Sequence, residues 1–264
     1  MSDFLSRIIE RKKEEIRAAE KSMPEASLRR EAQNSGGRRP FLGALQKPGP
    51  RGRNIIAEMK RASPSKGKIR DNVEPGEVAQ KYEAGGAAAI SVLTDRDYFG
   101  AHPDDLSQVR AACRLPVLRK DFIISSYQVY QSAAMGADAI LLIVRALDPE
   151  FLKDLLSLSS TLGLDALVET HDENEFEIAA KAGARLIGIN NRDLSTFTTD
   201  IAVSIRISRN ASPGQVLVAE SGLNTRSDIE RLLEAGIWNF LIGESLMRAQ
   251  DPVMLLHDLH GVKK

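Results

Sequence analysis

From residue 54 onward, short apolar runs alternate with amphipathic stretches. The runs are residues 54–60 (NIIAEMK), 88–94 (AAISVLT), 116–120 (PVLRK), 139–144 (AILLIV), 164–169 (LDALVE), 185–190 (RLIGIN), 215–220 (QVLVAE) and 239–243 (NFLIG). Each is short and too continuously apolar for a strand with one wet face. Strands buried on both faces of a parallel sheet read this way. The stretches between them, such as EPGEVAQKYEAGG, SYQVYQSAAMGA and TRSDIERLLEAGI, space their apolar residues as helices do. This rhythm predicts an α/β fold, a closed (β/α)8 TIM barrel, with an open doubly wound sheet as the alternative.

An internal repeat favours closure. EAGGAAAISVL, AMGADAILLIV, KAGARLIGIN and EAGIWNFLIG each join a helix end, a glycine turn and a strand. Their turn glycines, Gly86, Gly136, Gly183 and Gly236, are separated by 50, 47 and 53 residues. Glycine supplies the left-handed position that ends a helix. A period near 50 residues is two βα units, which puts the turns before strands 2, 4, 6 and 8.

Residues 1–50 follow another pattern. Phe4, Leu5, Ile8, Ile9 and Ile16 fall on one helical face, with Arg11, Lys12, Lys13, Glu14 and Glu15 opposite or flanking. A polar link, QNSGGRRP, then leads to FLGAL at 41–45. The expected organisation is an N-terminal helical extension over 1–50, packed on a single barrel domain over 51–264.

Polar residues gather where the strands end. The first ends in Glu58-Met59-Lys60, the third in Lys120, the fifth in Glu169, the sixth in Asn190 and the seventh in Glu220. Alternation along a strand puts Glu58 and Lys60 on one face. A charge in such apolar surroundings is costly unless it is paired or functional. Five strands ending this way would converge on the carboxyl mouth, where barrel enzymes carry their sites. Strand 7 continues into Ser221-Gly222, and strand 8 into Gly243-Glu244-Ser245. Those two loops commonly hold phosphate through backbone N–H groups. Glu244 would contribute its amide and turn its carboxylate away. The loop after strand 1, Arg61–Gly67 with Ser63 in it, reads as a lid or as a plain exposed turn.

Composition removes other classes. Lys and Arg (36) balance Asp and Glu (36), which argues against nucleic acid. No apolar run is long enough for a bilayer, and the charged N-terminus resembles no signal peptide, so a cytoplasmic location is expected. The single Cys113, expected on a helix, excludes an internal disulfide framework and a cysteine zinc site. The four histidines show no metal-ligand spacing with carboxylates, so no metal is expected; His171 is expected to open a helix with Asp172 and Glu173 in its first turn. P-loop and dinucleotide fingerprints are absent, and no motif implies a cofactor.

The blocks IIAEMKRASPSKG, SVLTDRDYFG, PVLRKDFIISSYQVYQSAAMGADAILLI, LVETHDENE, IGINNRDLSTF, VAESGL and FLIGESLM together resemble the indole-3-glycerol phosphate synthase family of tryptophan biosynthesis. IIERKKEEI also looks like that family's opening helix. The chain departs from the pattern at Ala101-His102 and at Asp193. The resemblance implies a carboxy-lyase acting on 1-(2-carboxyphenylamino)-1-deoxyribulose 5-phosphate. Ring closure, loss of CO2 and loss of water would give indole-3-glycerol phosphate. It implies Lys120 as general acid, Glu169 with Glu58 as acid and base, and Lys60 and Asn190 as substrate-positioning groups. Arg192, Glu220, Ser221 and Ser63 would complete the pocket beside the amides of Gly222, Gly243 and Glu244. Phe99, Phe122, Leu141 and Leu194 would wall the aromatic ring. The only partner implied is a small phosphorylated substrate, with no nucleic acid and no membrane. A monomer or weak homodimer is expected, and contact with neighbouring tryptophan-pathway enzymes stays open. The rival readings are another phosphate-binding barrel enzyme, an isomerase or an aldolase, and a barrel that only binds a phospho-ligand.

Overall fold

The computed structural model describes residues 3–193 and 196–262. Eight parallel strands close into a barrel: β1 (Asn54–Met59), β2 (Ala89–Leu93), β3 (Val117–Lys120), β4 (Ala139–Ile143), β5 (Asp165–Thr170), β6 (Leu186–Asn190), β7 (Val216–Glu220) and β8 (Asn239–Ile242). Each strand pairs with the next in sequence, and β8 returns to β1 with Asn239 opposite Asn54. The open sheet is therefore excluded. The eight observed strands lie on the eight apolar runs, each end within one residue, the fifth running one residue further, to Thr170. A small antiparallel hairpin, residues 62–63 with 67–68, decorates the loop after β1.

Three helices precede the barrel: α1 (Asp3–Ser22), α2 (Glu25–Asn34) and α3 (Phe41–Leu45). Between the strands lie α4 (Pro75–Ala84), α5 (Arg96–Phe99), α6 (Asp105–Ala112), α7 (Ser126–Ala134), α8 (Pro149–Thr161), α9 (Glu173–Lys181), α10 (Ala202–Ile207) and α11 (Arg226–Glu234). Two more, α12 (Glu244–Arg248) and α13 (Pro252–Leu259), follow β8. Local chemistry explains their starts. Ser125, Asp148, Asp172 and Asp251 cap their helices with side-chain oxygens, and Thr225 with Asp228 forms a reciprocal capping box. The four repeat glycines all sit at positive φ, between +81° and +90°, as their turns require. Among the described residues, no helix is long and apolar enough to cross a membrane.

The core has two layers. One lies between sheet and helices; the other fills the barrel, where Ile56, Leu118, Leu141, Leu167, Val218 and Leu241 pack together. Phe41, Leu42 and Leu45 of α3 join the inner layer. There the Leu42 N–H donates to Asp165, the first residue of β5, at 2.7 Å. Trp238, just before β8, donates its indole N–H to the Leu45 carbonyl at 3.2 Å. Thus α3 plugs the amino end of the barrel. Helix α2 runs beside α7, and the Tyr127 hydroxyl donates to the Met23 carbonyl at 3.0 Å.

Helix α1 lies at the opposite end and corrects one expectation. Lys12 does not belong to a wet face: it is 3% exposed. Three and four residues from Ile9 and Ile8, it falls on the packed stripe. Its ammonium ion-pairs with Asp95 after β2 at 2.7 Å, Asp121 after β3 at 3.1 Å, and Glu15 at 2.8 Å. Burial works against the Lys12 charge, but Asp121 and Asp95 overcome it and raise its pKa above the usual range. Asp121 is held low, against its own burial, by Arg119 and Lys12. Cys113 also departs slightly from expectation: it is the buried residue that ends α6, and burial pushes its thiol up.

Candidate active site

At the carboxyl end of the strands lies a cavity of about 780 Å³. Its charged wall comes from the strand ends. Glu58 of β1 is buried, and the Lys60 ammonium just beyond the strand contacts its Oε1 at 2.5 Å. Lys120 ends β3 and lies between two carboxylates, 3.2 Å from Glu169 Oε2 and 3.1 Å from Glu220 Oε2. Asn190 ends β6; its side chain hydrogen-bonds Glu169, and its Oδ1 accepts the Arg192 N–H at 3.1 Å. The Arg192 guanidinium reaches the Phe197 carbonyl at 3.2 Å and Ser65 in the loop after β1 at 3.5 Å.

The charges sort themselves by environment. For Lys120, burial favours the neutral amine, but Glu220, Glu169 and Glu58 hold it protonated well above the ordinary lysine range. Burial also opposes the Glu169 carboxylate, yet Lys120 and His171 draw it down to about 2. For Glu220 burial prevails, reinforced by Glu169 and Glu58 against the pull of Lys120, and its pKa rises to about 8. The two carboxyls that share one lysine are thus pushed in opposite directions, Glu169 down and Glu220 up, the pattern that separates acid from base in a shared site. Two glycines make room for these carboxylates. A Cβ at Gly188 would overlap Glu220 Oε1, and one at Gly243 would overlap Glu58 Oε1.

The opposite side of the cavity is backbone-rich. Ser221 and Gly222 follow β7 with φ of +65° and +74°, two successive left-handed residues. Asn191 donates to the Ser221 carbonyl at 3.1 Å and holds that turn. For serine this conformation costs about 1 kcal/mol, and such strain clusters at ligand clamps. Gly243 precedes α12, and the Glu244 carboxylate turns along that helix to accept from Arg248 Nε at 3.1 Å. The Glu244 carboxylate is thereby engaged within its own helix. Ser63 lines the cavity from the hairpin loop, and its buried Oγ makes no hydrogen bond with the described residues.

The apolar wall contains Phe99, Phe122 and Leu141, with the two rings 6.3 Å apart. Leu194 lies outside the described residues. Every other site residue singled out from the sequence lines this one cavity. Sequence reasoning missed the contribution of α1: Phe4, Leu5 and Ile8 also line it, and Phe4 meets Phe197 edge-on at 5.9 Å. The helical stripe was visible, but its destination depends on Lys12 reaching two aspartates far along the chain. Also missed was His171. It precedes the Asp172 cap of α9 instead of opening the helix, and its ring turns back toward Glu169. The two-residue spacing from Glu169, just past the strand end, was the available signal.

A closed βα barrel that gathers paired lysines and carboxylates in one cavity at its carboxyl mouth defines the class, a barrel enzyme. The indole-3-glycerol phosphate synthase family model matches residues 5–259. A protein named indole-3-glycerol phosphate synthase from Desulfosudis oleivorans is 57% identical over 260 residues, 98% of this chain and 99% of its own. One of the same name from Syntrophobacter fumaroxidans is 54% identical over 261 residues, covering 99% and 98%. A thiamine phosphate pyrophosphorylase from Pyrococcus furiosus shares the fold alone, with a TM-score of 0.61, 15% identity, and coverage of 83% of this chain and 96% of that one. The chain belongs to the indole-3-glycerol phosphate synthase family, and with it to the carboxy-lyases of tryptophan biosynthesis.

Proposed function

We propose that this chain closes the pyrrole ring of indole-3-glycerol phosphate from 1-(2-carboxyphenylamino)-1-deoxyribulose 5-phosphate, with release of CO2 and water. The observation that carries this reading is the Lys120 ammonium held between Glu169 and Glu220 inside the cavity. Ring closure needs a cation at the ketone oxygen while an aromatic carbon attacks it, and Lys120 is protonated for that purpose. Its proton goes to the developing alkoxide, and loss of CO2 restores aromaticity. Dehydration then needs a base for the substrate proton and an acid for the leaving hydroxide. Glu169, ionised, suits the base; Glu58 supports the acid side through Lys60 and Lys120.

Lys60 would meet the substrate carboxylate, exchanging its Glu58 contact for it, and so position the ring for attack. Asn190 and Arg192 would hold substrate hydroxyls beside Glu169. The phosphate would lie on the amides of Gly222, Gly243 and Glu244, with Ser221 and Ser63 nearby. Phe99, Phe122 and Leu141, with Leu5 and Ile8 of α1, would sandwich the aromatic ring. A Schiff-base aldolase would need a neutral lysine amine, and the three carboxyls around Lys120 oppose that. The test is direct. Mixing the protein with the open-chain substrate should produce indole-type fluorescence and stoichiometric CO2; absence of both would refute the reading.

A further inference from the structure

The chain carries its chemistry past Glu169: His171 is the first residue beyond β5, and its ring turns back toward Glu169. The His171 side chain is 4% exposed and stands behind Glu169, outside the cavity wall. Its Nε2 lies 3.4 Å from Glu169 Oε1 and makes no hydrogen bond of its own. Its Nδ1 lies 3.1 Å from Glu175 Oε2, which also accepts the His171 backbone N–H at 2.9 Å. The other Glu175 oxygen takes Arg145 Nε at 2.7 Å and Nη2 at 2.6 Å. Glu175 is thus anchored from two elements, and despite its burial, His171 and Arg145 keep its pKa low. A fixed carboxylate at Nδ1 selects the tautomer with the proton there. Nε2 then faces Glu169 Oε1, which it holds as a second N–H once it carries a proton.

We propose that His171, oriented by Glu175, is a positioning residue for Glu169 that fixes its Oε1 edge and exchanges a proton with it between steps. The inference rests on the reading of Glu169 as the base. The proton balance is simple. Glu169 takes a proton from the substrate, and that proton passes from Oε1 to Nε2. The imidazolium then stands between two carboxylates, Glu169 and Glu175; the proton returns by the same contact to Glu169, which passes it from Oε2 to Lys120 at 3.2 Å, replacing the proton that Lys120 gave to the alkoxide. No other bond changes. Release of CO2 from a carboxylate consumes one proton per turnover, which solvent supplies; the proton held on His171 is the substrate's own, kept within the site until Lys120 takes it back.

The experiment compares His171→Gln, Glu175→Gln and Glu169→Gln, with circular dichroism and melting as folding controls. His171→Gln should lower kcat by about tenfold to a hundredfold, as loss of a partner that orients a reacting ligand does, while KM moves less than about twofold. CO2 release should run ahead of indole formation, because the hindered step follows decarboxylation. Glu175→Gln should show the same split at smaller size, and it carries the test if His171→Gln does not fold. The double variant should be no worse than His171→Gln alone. Wild-type kcat, a loss confined to KM, or CO2 and indole slowing in step would overturn the proposal. Glu169→Gln separates the two readings. If it leaves kcat intact, the base assignment falls; if it collapses kcat while His171→Gln does not, only the role of His171 falls.

Discussion

The two ends of the barrel use the same kinds of polar residue for opposite purposes. At the amino end, Asn54 donates to the Lys47 carbonyl and to Asn239, and Asn239 donates to the Leu217 carbonyl. Asp138 accepts from the backbone of Arg39 and Val117 and from the Arg110 guanidinium; Asp165 accepts from Leu42. Every one of these groups fastens chain to chain. At the carboxyl end, the ions lean mostly on one another, and buried atoms of Glu220, His171, Ser63 and Ser245 make no hydrogen bond among the described residues. Buried polar atoms left unpaired cost stability. Unpaired buried nitrogens occur at the amino end too, on Arg38 and His260, but there most polar groups are finished as structure, whereas at the mouth the unpaired atoms gather in and around one cavity.

Four experiments probe that contrast, beginning with the largest effect. Lys120→Ala should lower turnover by about 10³-fold, within the range for loss of a positioned acid, while circular dichroism stays that of the native barrel. Near-native kcat would mean that the mouth does not work as described. Lys12→Met strands Asp95 and Asp121 without their shared cation, and breaking a buried pair costs about 3–5 kcal/mol. Denaturant unfolding should register that loss, and KM should rise because α1 contributes Phe4, Leu5 and Ile8 to the cavity.

Asp165→Ala at the amino end leaves the Leu42 N–H without its acceptor. It should cost about 1–3 kcal/mol with kcat unchanged; a substantial fall in kcat would erase the distinction between the ends. The smallest effect concerns pH. The Glu220 pKa is raised from 4.5 to about 8, so the folded protein binds more protons than the unfolded chain between those values. Glu220 therefore favours the fold below pH 4.5, and that contribution is lost as pH rises toward 8. Melting temperatures of Glu220→Gln should show a flatter decline over this interval than the parent. Equal slopes would assign the protonated carboxyl elsewhere.

Much of this was legible in the sequence, for physical reasons. Buried parallel strands need continuous apolar runs, and charges at their ends have few places to go but the mouth. Glu58, Lys60, Lys120, Glu169, Asn190 and Glu220 accordingly meet in one cavity. Local rules did not reach Lys12 or His171. A lysine beside an apolar stripe reads as a solvated edge until its two aspartates are in place. A histidine after a strand reads as a helix start until the ring's direction is known.

The plug and the cover of the barrel also have a consequence for how the chain is made. The first fifty residues leave the ribosome before any strand exists, yet α3 docks on Asp165 across a separation of 123 residues, and Arg11 of α1 pairs with Asp97 across 86. Through much of synthesis this amphipathic leader has no surface to settle on. It emerges ahead of every strand, so nascent molecules carry an unshielded oily stripe until the strands on which it settles are delivered.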